Sequence, residues 1–475
     1  MVESRVKSGG GKPEMSQLRR WIILSTLGLF FFMVIVDGSI VTIAVPAISQ
    51  GLNVSSGQVN LIIILYLVVI CATLLTFGQL GDQIGRVRLF RWGTVVFLAG
   101  SVAAGWGINF DFVLVGRLFQ GLGAGMTMAN SYAIVADTFP PGMLGRALGI
   151  ESIFISLGAL AGPGLGGLIL TVSSWHFIFW VNVPIGLICL VFEWYLFPST
   201  KAASRANIDW RGSLWLVVVA ISFYLVAQTL LQTPLIAAGF LMVSIGGGIG
   251  FYRAERRVAN PLLNFAIFAN QVFTRSLMAS MLSFIAAYFF TLLAPLYLQE
   301  VLHYPSQLTG VILMVSPVMA IVANPVAGWL TDRYRPIRLM QAGMGLLVLA
   351  EVALVLANGH WEPWWLIVVS ILLAWATAGF GTPSNTLIMS SAPVSQRGMV
   401  GATNSLVREF GMVIGATLAT AVYYGVLSLN RGRRITTVVD QPASSLIQAQ
   451  AVAYGVATVL LLIAAWLIRT KKMAR

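Results

Sequence analysis

Apolar residues along this chain come in long runs, each closed by a short break that holds prolines, glycines or charges. The runs fall at 21–45, 58–80, 91–108, 111–135, 146–170, 175–197, 212–231, 234–252, 275–298, 307–331, 338–357, 363–390, 399–427 and 447–469. At about 1.5 Å per residue, each is long enough to cross a hydrocarbon core of about 30 Å as an α-helix. The pattern predicts an all-α integral membrane protein with fourteen transmembrane helices. Only Gln232, Thr233 and Pro234 separate the seventh run from the eighth, so that pair is the least sharply drawn. The first run is too long for a cleaved signal peptide and lacks a small-residue cleavage site, which predicts a retained first helix behind a mobile tail.

Composition agrees: 58% of residues are hydrophobic and 9% charged, against about 25% charged in soluble domains. The 29 Lys and Arg add direction. All except Arg117, Arg408, Arg431, Arg433 and Arg434 fall in the tails and alternate loops that one side of the membrane would share. By the positive-inside rule that side, with both termini, is cytoplasmic. The Arg431 to Arg434 cluster breaks the rule, so either that loop is an outlier or the last two runs are misdrawn. The net charge of +13 therefore reports orientation and contact with anionic lipids, not nucleic-acid binding. Cys71 and Cys189 lie inside apolar runs and read as packing residues. His176, His303 and His360 are far apart in predicted outer loops, so no metal site is expected. No phosphate-binding loop and no catalytic constellation is visible, which argues against ATP drive and against an enzyme.

The segment GQLGDQIGRVR at 78–88 returns as GWLTDRYRPIR at 328–338. Gly78 and Asp82 in the first copy match Gly328 and Asp332 in the second, and Arg88 matches Arg338. Such a repeat predicts two homologous bundles with a substrate site between them at the membrane midplane. The expected division is a cytoplasmic tail at 1–20, a six-helix bundle at 21–197, a linker with two additional helices at 198–265, and a second six-helix bundle at 266–475.

Several motifs carry a family resemblance over nearly the whole chain. Gly78, Asp82, Gly85, Arg86 and Arg88 resemble the loop 2/3 signature of the major facilitator superfamily, and Leu114, Arg117, Gln120, Gly121, Gly123 and Ala124 resemble its fourth-helix motif. Val36-Asp37 with Ala44 and Pro46, the stretch from Trp175 to Gly186, and Pro295-Leu296-Tyr297-Leu298-Gln299 look like hallmarks of its fourteen-helix drug/proton antiporters. Gly149, Gly158, Gly162, Pro163, Gly166 and Gly167 resemble the fifth-helix antiporter motif, implying a bent, close-packed helix that seals the halves against proton leak. Two departures stand out: Gln83 replaces the usual basic residue, and Arg335-Pro336 breaks the glycine of the second copy. The resemblance implies the major facilitator fold with proton-coupled export of hydrophobic or cationic drugs from the cytoplasm or inner leaflet. It also implies a monomer in a bacterial plasma membrane, with the proton gradient and no cofactor as energy source. Export of an endogenous solute, such as a lipid precursor, siderophore or amino acid, is the alternative, and a non-transporting scaffold a more distant one.

A charge at the bilayer centre costs about 2.5 to 3.5 kcal/mol on insertion scales, so ionisable groups inside the runs are functional candidates. Asp37, Arg117 and Glu409 are the proton-coupling candidates; Ser39 and Thr42 stand near enough in sequence to hydrogen-bond Asp37. In the thirteenth run Asn404, Arg408, Gly411 and Gly415 form one stripe, with Glu409 about 100° away. Tyr66, Gln120, Asn130, Asn404 and Arg408 are candidates to line the substrate cavity. Gly78, Asp82, Gly85, Arg86, Arg88, Asp332 and Arg333 are assigned to gating, with Asp82 capping the N-terminus of a neighbouring helix in the outward-open state. Glu351 is expected to be protonated or to snorkel, and Asp137, Glu151 and Glu193 to pair with Arg146 or other loop arginines. The topology predicts that membrane-impermeant thiol reagents applied outside reach a cysteine placed near Asn109 and miss those near Arg146 and Arg397; the opposite pattern inverts the orientation.

Overall fold

The computed structural model describes residues 15–198, 209–230, 233–258, 260–356, 363–435 and 441–469. Expectations that fall on residues 1–14, Lys201, Arg205, Gln232, His360, and 470–475 lie outside that set. The helices are α1 (Gln17–Leu52), α2 (Ser56–Ile84), α3 (Arg86–Trp106), α4 (Phe110–Thr138), α5 (Leu144–Val172), α6 (Phe177–Trp180), α7 (Asn182–Leu196), α8 (Trp210–Thr229) and α9 (Pro234–Glu255). They continue with α10 (Gln271–Leu296), α11 (Ser306–Leu313), α12 (Val315–Arg333), α13 (Pro336–Val355), α14 (Pro363–Ser390), α15 (Arg397–Arg431) and α16 (Ala443–Ile468). The short α6 continues into α7, and α11 into α12, so the described residues form 14 candidate spans. The closely spaced seventh and eighth runs are two separate helices, α8 and α9. Since α15 and α16 both form, the Arg431 to Arg434 cluster is an outlier at the end of α15 away from the other basic loops.

Local chemistry sets the helix ends. At α2, Ser55 and Gln58 make a reciprocal capping box, and Asn109 Oδ1 accepts from Phe112 N at 2.8 Å at the start of α4; each relieves amides that a helix N-terminus cannot pair internally. Pro295 lies inside α10, and the chain runs on through a π-helical turn at Tyr297–Val301, a wider turn of the kind that accommodates a missing backbone bond.

Small residues bring helices close without an apolar driving force from water. In the α3–α4 seam, a side chain on Gly123 would meet the backbone of Phe97 and Gly93, and one on Gly116 would meet Ala104. The first six spans and the last six form two bundles. They meet along two related seams, α5 against α12 and α2 against α15, with α4 also on α15. At these seams the backbones nearly touch: a side chain on Gly328 would strike the Gly145 carbonyl, and one on Gly78 would strike Ala402 and the Gly398 carbonyl. All four glycines lie toward the end of the molecule that carries the basic loops, so the halves are closed together on that side.

Candidate functional site

Asp37, near the middle of α1, is wholly buried, as are Arg117 and Gln120 on α4. Arg117 Nη1 donates to Asp37 Oδ2 at 2.5 Å and to Gln120 Oε1 at 2.9 Å, while its Nε donates to the Ile62 carbonyl of α2 at 3.0 Å. Gln120 Nε2 donates to Asp37 Oδ1 and to Ser101 Oγ, each at 2.9 Å, and Asn182 Nδ2 at the start of α7 donates to Asp37 Oδ1 at 2.6 Å. The guanidinium carbon lies 4.1 Å from the centre of the Tyr66 ring, a cation–π contact in a dry site. One constellation thus ties α1, α2, α3, α4 and α7. The expected partners Ser39 and Thr42 are not in it: Ser39 Oγ bonds back to the carbonyls of Ile35 and Val36, and Thr42 is exposed.

At the basic end the two acidic loops make matching contacts across the seams. Asp82 accepts from Gly398 N at 3.0 Å and Met399 N at 3.1 Å, in the first turn of α15. Asp332 accepts from Gly145 N at 2.7 Å and Arg146 N at 3.0 Å, in the first turn of α5. Each carboxylate therefore caps the fifth helix of the other half, where unpaired amides and the helix dipole favour an anion. Arg86 joins Asp82 to Asp137 and donates to the Val394 carbonyl at 2.6 Å. Arg397 reaches Asp137 Oδ1 at 2.8 Å. Two of the assigned gating residues stand apart: Arg88 is exposed, and the exposed Arg333 lies over the Trp329 ring. Gly85 has φ 106°, a conformation that a side chain disfavours. Its counterpart Arg335 turns at φ −66° ahead of Pro336, which is how the second copy manages without the glycine.

Between the halves, beside α8, lies a cavity of about 280 Å³ lined by residues that include Leu67, Tyr224, Tyr288, Glu409 and Met412. Glu409 Oε1 accepts from Arg408 Nε at 3.2 Å and Nη2 at 3.1 Å, so two side chains expected on diverging faces are long enough to meet. None of the five cavity candidates lines this space. Tyr66 and Gln120 belong to the Asp37 network, Asn130 donates to the Phe77 and Met126 carbonyls, Asn404 donates to Asn385 Oδ1, and Arg408 turns to Glu409 and the Tyr132 hydroxyl. Glu151 and Glu193 also depart from expectation. They accept from Ser131 at 2.6 Å and Thr94 at 2.9 Å, and Arg91 reaches the Glu193 carbonyl oxygen, not its carboxylate. Glu351 does not snorkel: it is 1% exposed inside its bundle.

The family model of the Major Facilitator Superfamily matches residues 27–416 and again 276–473. The chain belongs to the major facilitator superfamily. The riboflavin transporter RibZ of Clostridioides difficile is 25% identical over 87% of this chain and 90% of that protein. The tetracenomycin C resistance and export protein of Streptomyces glaucescens is 30% identical over 87% of this chain and 77% of its own length. Among solved structures, the human organic anion transporter MFSD10 superposes with a TM-score of 0.68 at 15% identity, covering 96% of this chain and all of that one, which speaks for the fold alone.

In this major facilitator chain the glycine run of α5 divides its work differently from expectation. Only Gly149 faces the opposite half, against Asn324 and Gly328 of α12. Gly158, Gly162 and Gly166 recur every fourth residue and face Ile35, Ser39 and Ile40 of α1, in the same bundle. A side chain on Gly167 would meet nothing within 4 Å. The helix runs through Pro163, whose side chain lies outside the described residues. The run therefore holds α5 against the helix that carries Asp37. Gly162→Leu should destabilise the protein by about 1 to 3 kcal/mol through overpacking, lower its melting temperature in detergent and depress transport, whereas Gly167→Leu should leave both unchanged. Equal tolerance of the two changes would show that the α1–α5 contact is not needed.

Proposed function

We propose that this transporter is a proton-coupled antiporter that exports hydrophobic or cationic compounds from the cytoplasm or inner leaflet, with both termini cytoplasmic in a bacterial plasma membrane. The observation that carries this reading is the separation of two charge systems. Asp37 and Arg117 are sealed within one bundle, each at 0% exposure, while Glu409 lines a cavity between the bundles. A proton arriving at Asp37 must break its bond to Arg117. An arginine cannot give up its own proton, so it has to find another partner, and the helices joined by the network must shift with it. Rocking must also release Asp82 from α15 and Asp332 from α5, interactions of a kind worth about 1 kcal/mol each. One proton crossing 100 mV supplies about 2.3 kcal/mol, enough to bias an equilibrium of that size.

One observation favours a second reading, export of an endogenous solute. Arg408 neutralises Glu409 in this conformation, which suits an uncharged molecule as well as a cation, and a riboflavin transporter is among the relatives.

Proteoliposomes loaded with a pH-sensitive dye separate the possibilities. Addition of a cationic dye substrate should drive proton movement in the unaltered protein and give none in Asp37→Asn or Arg117→Ala. Size-exclusion profiles should show both variants folded. Normal proton movement in either variant would reduce the pair to a structural strut. Glu409→Gln should weaken transport of a cation by about tenfold, equivalent to about 1.4 kcal/mol, and of a neutral compound far less. Equal losses would count against a cation-binding carboxylate.

A further inference from the structure

The inserted helix α8 lies over the α2–α15 seam and touches both halves. Against α2 it makes polar bonds as well as apolar contacts with Cys71 and Ala72: Ser213 Oγ pairs with Thr76 Oγ1 at 2.8 Å in a buried contact, and Asp209 N, at the N-cap of α8, donates to Gln79 Oε1 at 3.5 Å. Toward α15 the described contacts are apolar, with the Phe223 and Phe410 rings 5.6 Å apart and Leu406 and Phe410 packed against the cluster that holds Ala220. Polar bonds fix geometry, whereas an apolar face can slide at little loss. Helix α8 is therefore built to travel with α2 and to glide on α15.

Its far end forms one wall of the Glu409 cavity. Tyr224, Ala227, Gln228 and Leu230 line that space. Tyr224 stands fourteen residues beyond Trp210, about 21 Å along the helix, and Glu409 twelve beyond Arg397, about 18 Å, so the two reach similar depths. Gln228 Nε2 donates to the Tyr224 hydroxyl at 3.2 Å, which orients the ring. Across the cavity stand Tyr288 of α10, Glu409 and Met412 of α15. Arg408 occupies only Oε1 of the carboxylate. Phenol faces, one carboxylate and an adaptable apolar wall are the groups that bind a lipophilic organic cation.

We infer that α8 is a working part of the substrate site, in which Tyr224, oriented by Gln228, forms with Glu409 and Tyr288 of the second half a binding site for a lipophilic organic cation, closed on the first half by Leu67 and Cys71. The inference rests on the export reading above and gives the inserted helix pair a role in specificity. Because α8 is tied to α2, rocking separates Tyr224 from Glu409 and weakens the hold on the cation in one of the two facings.

Cys71 lines the same cavity and provides a reporter. In the full-length Cys189→Ser protein, tetraphenylphosphonium should slow N-ethylmaleimide labelling of Cys71. Tyr224→Ala should raise the concentration needed for half protection about tenfold, and Gln228→Ala and Tyr224→Phe, which keep the ring but lose the hydrogen bond that orients it, about threefold each. Unchanged protection in Tyr224→Ala would overturn the inference while leaving export intact. If tetraphenylphosphonium protects Cys71 in this Tyr224-dependent way but moves no protons in proteoliposomes, the binding site stands and proton coupling falls. Should it neither protect nor move protons in the unaltered cavity, the cation reading and this inference fall together.

Discussion

A carboxylate in hydrocarbon must meet donors within the protein, because lipid offers none. Asp37 meets three, on Arg117, Gln120 and Asn182, and their positions fix how α1, α4 and α7 pack. The small residues follow from this. Gly158, Gly162 and Gly166 let α5 lie close behind α1, and the glycines of the α3–α4 seam let Ser101 reach Gln120. An ion pair this enclosed is weak evidence of stability, since removing either partner strands a charge at a loss of about 3 to 5 kcal/mol while an apolar replacement can be neutral. Stability alone therefore does not account for its presence in an apolar bundle.

Around that fixed centre the two bundles are joined by contacts suited to being made and broken. The capping carboxylates at the basic end use backbone amides, which are present at any helix N-terminus and carry no side-chain entropy. Behind them the seams are backbone against backbone at Gly78, Gly145, Gly328 and Gly398. Such surfaces mate well in one position and leave nothing interdigitated to prevent separation.

How much of this was legible in the sequence follows from how local each feature is. Helix number was plain because hydropathy is a property of each segment alone. Asp37 and Arg117 stood out because charges are rare in apolar runs, and Gln120 followed from its position three residues from Arg117 on one helix face. The role of Asn182 was hidden: its partner lies 145 residues away, and an asparagine after a short loop reads equally well as a helix cap. The glycine run announced a close neighbour without naming it, so the opposite half was expected where α1 stands. Tyr224 and Gln228 gave no signal, since an amphipathic residue in a membrane helix is more often at a lipid or helix boundary than in a cavity. Glu151 and Glu193 went astray because hydroxyls on adjacent helices were closer than any loop arginine.

The two seams are alike in design and unequal in fastening. At α2–α15, Arg86 is buried and draws Asp82, Asp137 and the Val394 carbonyl together, Arg397 adds a further tie, and α8 straddles the join. At α5–α12 the corresponding cation is Arg146, whose side chain is 45% exposed and 3.2 Å from Asp332, a solvated pair of the kind worth little. Two edges fastened by different chemistry need not part together. The α2–α15 edge must break a buried charge network and the α5–α12 edge a run of close backbone packing, so the mouth at the basic end should open unevenly.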